Sequence, residues 1–221
     1  GEIDMIRESF EKNMLELQDK MGEMVEATVE AMEKAFTALK TQDMAIALAV
    51  IEEDSYIDTL ENEINQMATW LMAKEQPFAR DLRRILSMIK MSAEIERIAD
   101  FAVNISKSTI RIGKTESLLP LTSLVQMKDI SMEMLKKALK SFVEEDIVLA
   151  KEVGDLDDRV DEKNHQNYRA LIDSLQQHPE QAEEIVQLLF INRYVERTAD
   201  HITNMAESTA YFIKGQLFEL N

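Results

Sequence analysis

Apolar residues recur along most of this chain at spacings of three and four, the repeat that places one face of an α-helix against a core. Over residues 4–40 the series runs Met14, Leu17, Met21, Met24, Val25, Val29 and Met32, which predicts one helix of roughly ten turns. Gly22 interrupts it at a cost of about 1 kcal/mol relative to alanine, which a helix of this length absorbs. Helix breakers are scarce, with five glycines and three prolines in 221 residues, and they fall mainly where the apolar pattern changes.

Thr41-Gln42-Asp43 offers a polar turn with side chains able to cap, and a second helix is predicted over 43–74. Pro77 opens a third, over 78–112, which Gly113 ends. The polar, proline-containing stretch that follows predicts a linker over 113–119. Three further helices are predicted over 122–143, 146–177 and 179–214, with Asp146 and Pro179 at their starts and Gly215 at the end. Helices of this length reach about 50 Å, and connections so short pack neighbours antiparallel. The expected fold is all-α, two tandem three-helix bundles of six long antiparallel helices, with one unit over 1–112 and a second over 120–215. A single continuous coiled coil is the alternative, and the breaks and non-heptad spacing oppose it.

The two units share more than a pattern. Glu96-Arg97-Ile98-Ala99-Asp100 recurs as Glu196-Arg197-Thr198-Ala199-Asp200, and Asn104 matches Asn204. Ile85, Ile89, Ile95 and Ile105 correspond to Ile185, Leu189, Val195 and Met205 at the same offset. In the preceding helices Asp54, Ile57, Asp58 and Glu61 align with Asp157, Val160, Asp161 and Asn164 at a slightly larger offset, which predicts a shorter inter-helix turn in the second unit. Duplication of a three-helix unit accounts for both matches.

Charge changes the picture of partners. Forty-two acids against 25 Lys and Arg give a formal charge of −17, which opposes binding to nucleic acid and to an anionic membrane surface. No cysteine is present, so disulfides and thiolate chemistry are excluded. No apolar run reaches the ~18 residues that a membrane span requires, and the first residues do not resemble a signal peptide. The expected location is cytoplasmic. The 14 methionines fall at helical spacing and are expected in the core rather than on a binding surface.

Glu96, Asp100 and Asn104 lie along one narrow helical strip, as do Glu196, Asp200 and Asn204, and Asp54, Asp58 and Glu61 form another. Like charges four residues apart repel by a few tenths of a kcal/mol, so such rows require solvent or a cation. On the residues alone both readings stand, a solvated acidic face or a set of hard oxygen ligands, since composition by itself yields roughly eight acid pairs at this spacing. Glu162 and His165 supply half of a carboxylate-bridged di-iron motif whose other half is missing. His201 beside Asp200 is a further possible ligand or a surface ion-pair partner. Neither a phosphate-binding glycine loop nor a nucleophile with its base is visible, so no catalytic residue is assigned.

Gln76-Pro77-Phe78-Ala79-Arg80-Asp81-Leu82-Arg83 followed by Glu96-Arg97-Ile98-Ala99-Asp100 resembles the PhoU family signature. The second Glu196-Arg197-Thr198-Ala199-Asp200 and the ending Phe212-Ile213-Lys214-Gly215-Gln216-Leu217-Phe218-Glu219 resemble it too, so the similarity spans almost the whole chain. The resemblance implies two bundles related by pseudo-twofold symmetry, often a homodimer, with multinuclear iron, zinc or other divalent metal sites on the acidic faces. Carried over residue by residue, the metal ligands are Asp54, Asp58, Glu96 and Asp100, then Asp157, Asp161, Glu196 and Asp200. It further implies a non-catalytic regulator that restrains phosphate uptake and the phosphate-starvation response. Such a regulator contacts the ATPase of a phosphate ABC transporter and a sensor histidine kinase, and approaches the inner membrane only through these partners.

This chain departs from a symmetric pattern at two places. Glu180-Gln181-Ala182-Glu183 stands where the first unit has Arg80-Asp81-Leu82-Arg83, and Asn164 replaces Glu61. The two metal sites need not be equivalent. A metal-dependent enzyme of the carboxylate-bundle type, and an accessory protein of another transporter, are the alternative functions.

Overall fold

The computed structural model describes residues 1–113, 115 and 118–215. Among these, six α-helices follow one another with no strand: α1 (Glu2–Thr41), α2 (Met44–Glu75), α3 (Arg80–Ile112), α4 (Leu124–Val143), α5 (Ile147–Gln177) and α6 (Ala182–Lys214). Part of the expected linker, Lys114, Glu116 and Ser117, and the end of the signature, from Gln216 on, lie outside the described residues.

The caps read from sequence form. Asp43 and Asp146 each accept hydrogen bonds from the two backbone amides that open α2 and α5, Ala45 and Ile46 in one case, Val148 and Leu149 in the other. Each bond satisfies a donor that the first helical turn leaves without an intrahelical partner. Gly215 closes α6 in the left-handed region, at φ 73°, its amide donating to the Tyr211 carbonyl. The 3₁₀ turn Pro179–Gln181 precedes α6, so that helix starts three residues later than Pro179.

The repeat offset has a different cause from the one expected. Residues 76–79 join α2 to α3 and 178–181 join α5 to α6, so both connections have four residues. The missing length is taken from the facing ends of α5 and α6, not from the turn. The two connections also differ in kind. Gln76 (φ 44°) and Ala79 (φ 54°) hold positive backbone angles without being glycine, and Phe78 between them is 82% exposed.

Within each set of three, every helix packs on the other two. Between the sets, α3 packs extensively on α6 and α1 touches α4, so each contact joins an element to its counterpart. An approximate twofold axis produces this pattern. One continuous apolar core results, including Met14, Met21, Met24, Met32, Met88 and Met91, which places these methionines in the interior as expected. Residues 91–99 and 191–199 pass through buried, half-buried and exposed positions in the same order, so the Glu-Arg-x-Ala stretches of the two motifs occupy matching surroundings, while Asp100 is half-buried and Asp200 exposed.

The charge departure at the starts of α3 and α6 follows from this packing. Arg83 donates from Nε to the Phe212 carbonyl at 3.3 Å, placing a cation at the negative end of α6. At the other end Arg111 of α3 and Glu183 of α6 line a common depression. Glu183 and Glu184 at the first turn of α6 thus complement that helix's own positive end, while Arg83 complements the negative end of α6.

Candidate metal and docking site

Two acidic strips form, one along α2 and α3 and the other along α5 and α6. In the first, burial and the neighbouring Asp58 and Asp100 raise the pKa of Asp54 to about 6, with Lys107 partly opposing. Burial, a hydrogen bond to Asp100 and repulsion from Asp100, Glu61 and Asp58 raise that of Glu96 to about 8. Glu61 is raised too, by burial and then by Asp58 and Asp100. Asp54, Asp58, Glu61, Glu96 and Asp100 therefore sense one another across the α2–α3 interface.

The second strip brings together Asp161, Glu196 and Asp200, each shifted upward chiefly by desolvation. Asp157 lies buried one helical turn before Asp161. Repulsion here is tempered: His165 lowers Asp161 and Glu196, Arg193 lowers Glu196, and His201 and Arg197 lower Asp200. His201 turns Nδ1 to Glu94 of α3 and packs its ring against Phe101 at 5.7 Å, which ties it to the seam between the two sets.

Do these residues suit a metal? In the first strip the ligand atoms are hard oxygens, and Glu61 Oε2 is buried with no hydrogen-bond partner. A cation would supply the missing partner and relieve the repulsion. In the second strip the position of Glu61 is taken by Asn164, whose side-chain oxygen already accepts from Asn192 Nδ2 at 2.7 Å. Among the described residues no three acid or histidine side chains converge closely enough as placed to enclose an ion, so coordination would require rotamer changes. The first strip suits a divalent cation better than the second.

Sequence reasoning missed the polar network beneath the second strip. Asn167 accepts from the Ser123 amide and hydroxyl at 2.7 and 2.9 Å, fastening the start of α4 to α5. Its Nδ2 donates to Asn192 Oδ1 at 3.0 Å, and Asn192 in turn donates to Asn164. Their equivalents in the first unit are Ile64, Ser92 and Glu61, so a polar residue at an apolar repeat position was the available signal. A groove of about 530 Å³ opens above this network between α5 and α6.

A duplicated three-helix scaffold carrying matched acidic strips defines a class of non-globin helical bundle with a surface suited to cations or basic partners. The PhoU domain matches residues 21–109 and 124–209. Over 98% of its length the chain is 32% identical to a phosphate-specific transport system accessory protein PhoU homolog of Clostridium acetobutylicum, covering all of that protein. To the homolog of Aquifex aeolicus it is 34% identical, with 93% of each covered. The crystal structure of the phosphate transport system regulatory protein PhoU from Streptococcus pneumoniae superposes with a TM-score of 0.88 at 25% identity, covering 95% of this chain and 99% of that one. The chain belongs to the PhoU family, and its relatives assign it an accessory, regulatory role in phosphate transport. No helix among the described residues is long and apolar enough to cross a membrane.

Proposed function

We propose that the chain is a non-catalytic adaptor that restrains phosphate import and the phosphate-starvation response by binding the ATPase of a phosphate ABC transporter and a sensor histidine kinase. The matched burial of the two Glu-Arg-x-Ala stretches supports this reading, because it sets Glu96 and Glu196 into equivalent positions at the heads of two carboxylate strips. Asp54, Asp58, Glu96 and Asp100, helped by Glu61, would hold divalent cations on the first strip. Asp157, Asp161, Glu196 and Asp200 would do so more weakly on the second. Bound cations would neutralise the mutual repulsion and give an acidic face a patterned positive charge for partners to recognise.

The test pairs two measurements on full-length protein purified without chelator. Elemental analysis is expected to find iron, zinc or another divalent metal, reduced by at least half in Glu96→Gln/Asp100→Asn and less in Glu196→Gln/Asp200→Asn. Tagged wild-type chain is expected to capture the transporter ATPase and the kinase, and the variant Glu96→Lys/Asp100→Lys/Glu196→Lys/Asp200→Lys to lose both while staying helical by circular dichroism. Undiminished capture by that variant overturns the acidic face as the docking surface.

A further inference from the structure

Two segments far apart in sequence, around Pro77 and around Gly215, meet at one end of the bundle. Ser87 of α3 donates to the Ser208 carbonyl of α6 at 3.2 Å and Arg83 to the Phe212 carbonyl at 3.3 Å, so four residues toward the start of α3 match four toward the end of α6. The Arg80 guanidinium then lies over the Phe212 ring, 4.8 Å from its centroid. Continued by one more step, this register brings the chain beyond Gly215 level with Ala79 and Phe78.

A depression of about 450 Å³ opens at this end, walled by Ile3, Ile6 and Phe10 of α1 and by Pro77, Phe78 and Arg80. Ile3, Ile6 and Phe78 are 82%, 53% and 82% exposed. Ala79 holds Phe78 outward at φ 54°, a strained angle for a residue with a side chain. The charges on the rim are balanced, Arg7 and Arg80 against Glu75 and Asp81, with Arg7 bonded to Asp81 and Arg80 to Glu145. Charge selects no partner here, and the walls favour an apolar occupant.

The chain itself carries one. Gly215 is followed by Gln216-Leu217-Phe218-Glu219-Leu220-Asn221, three apolar residues in six. Six residues reach at most about 20 Å, twice the width of the helix they have to pass. The first unit supplies a precedent for such a return. After α3 the chain folds back on the bundle: Thr115 donates to the Leu39 carbonyl at 3.4 Å, and Leu118, five residues past Gly113, is buried at 2% exposure. Leu220 stands five residues past Gly215. The repeat match starts at Met21 in one unit and at Leu124, the start of α4, in the other, so α1 runs about five turns beyond its counterpart. That extension moves the equivalent seat outward, to Ile3 and Ile6.

We infer that this depression seats the chain's own residues 216–221, their apolar side chains packed against Phe78, Ile3 and Ile6, as a strap joining the end of the second unit to the start of the first. The inference stands apart from the adaptor reading and does not depend on it.

Nile red fluorescence and hydrogen exchange on the full-length chain test it. Leu217→Ser/Phe218→Ser removes apolar side chains, so dye binding would fall or stay level if they covered nothing. The strap predicts the opposite sign, a rise of at least about twofold as Phe78, Ile3 and Ile6 are uncovered. Amide exchange over residues 5–9 and 76–81 should quicken at least about threefold in the same variant and stay level over 178–184 at the opposite end. Ile3→Ser/Phe78→Ser, changed at positions already exposed, should speed the release of Leu220 by carboxypeptidase by at least about threefold. Dye binding that falls or stays level overturns the strap, as do exchange and release that do not respond. Unlabelled wild-type chain added to nitrogen-15-labelled Leu217→Ser/Phe218→Ser chain should leave the variant's exchange fast. Recovered protection would place these residues in the depression of a second copy and overturn the intramolecular strap.

Discussion

Lys128 of α4 reaches Glu33 of α1 at 2.6 Å, across the junction of the two sets of helices, with its own side chain almost wholly buried. Asp129 approaches the same ammonium at 2.6 Å, and the Phe36 ring centroid lies 5.6 Å away. The carboxylates are about half exposed, so solvent weakens the pair, while the lysine stem is packed like a core residue. Lys128→Ala is expected to destabilise by about 2–3 kcal/mol through lost packing. Lys128→Met, which keeps the volume and removes the buried charge, should cost less than about 1 kcal/mol. Urea unfolding followed by circular dichroism checks both, and equal losses would show that the ion pair, not the volume, governs this junction.

The first acidic strip predicts an unusual pH dependence. Asp54 and Glu96 hold protons in the folded state up to about 6 and about 8, whereas the unfolded chain releases them near 4. Between those limits the native state binds more protons than the unfolded one, so stability declines as pH rises. In the presence of chelator, unfolding free energy is expected to drop by on the order of 1–2 kcal/mol from pH 5 to 8.5, after solvent screening of these partly exposed groups. Asp54→Asn/Glu96→Gln should flatten the slope, and added divalent cation should restore stability at pH 8.5. A stability that rises over this range would contradict the repulsive strip.

Gly22 lies within α1 with open space where a Cβ would stand. Gly22→Ala is expected to stabilise by about 0.5–1 kcal/mol through helix propensity alone. For a domain of this size that corresponds to a rise in Tm of about 1–4 °C, measurable by calorimetry.

Asn192→Ala removes the central member of the amide network and leaves Asn164 and Asn167 short of partners. The expected cost is about 2–3 kcal/mol. Hydrogen exchange should show the loss concentrated at the start of α4 and the middle of α5, since Asn167 fastens one to the other. Loss spread evenly over all six helices would mean that the network does not act as a local tie.

Helix positions were legible because period, aspartate caps and the scarcity of glycine and proline all pointed to the same boundaries. The repeat was legible because Glu96 and Glu196 retain their neighbours, and their equal burial follows from equal packing duties. What stayed hidden depends on contacts between helices. Asn192 reads as a polar interruption of an apolar stripe until Asn167 and Asn164 are brought beside it. In sequence the second strip differs from the first by Asn164 in place of Glu61, and only the fold shows His165, Arg193 and Arg197 acting on its acids. Ala79 gives no local hint of a positive φ, because alanine enters that region only under tertiary constraint.

The contact of α3 with α6 joins like to like. A surface that meets its own duplicate has the geometry of a homodimer boundary held within a single polypeptide, so this association does not depend on concentration. Holding both units in one chain also lets them differ, one with the denser anionic strip and the other with aromatic residues and amides, which a pair of identical subunits cannot do.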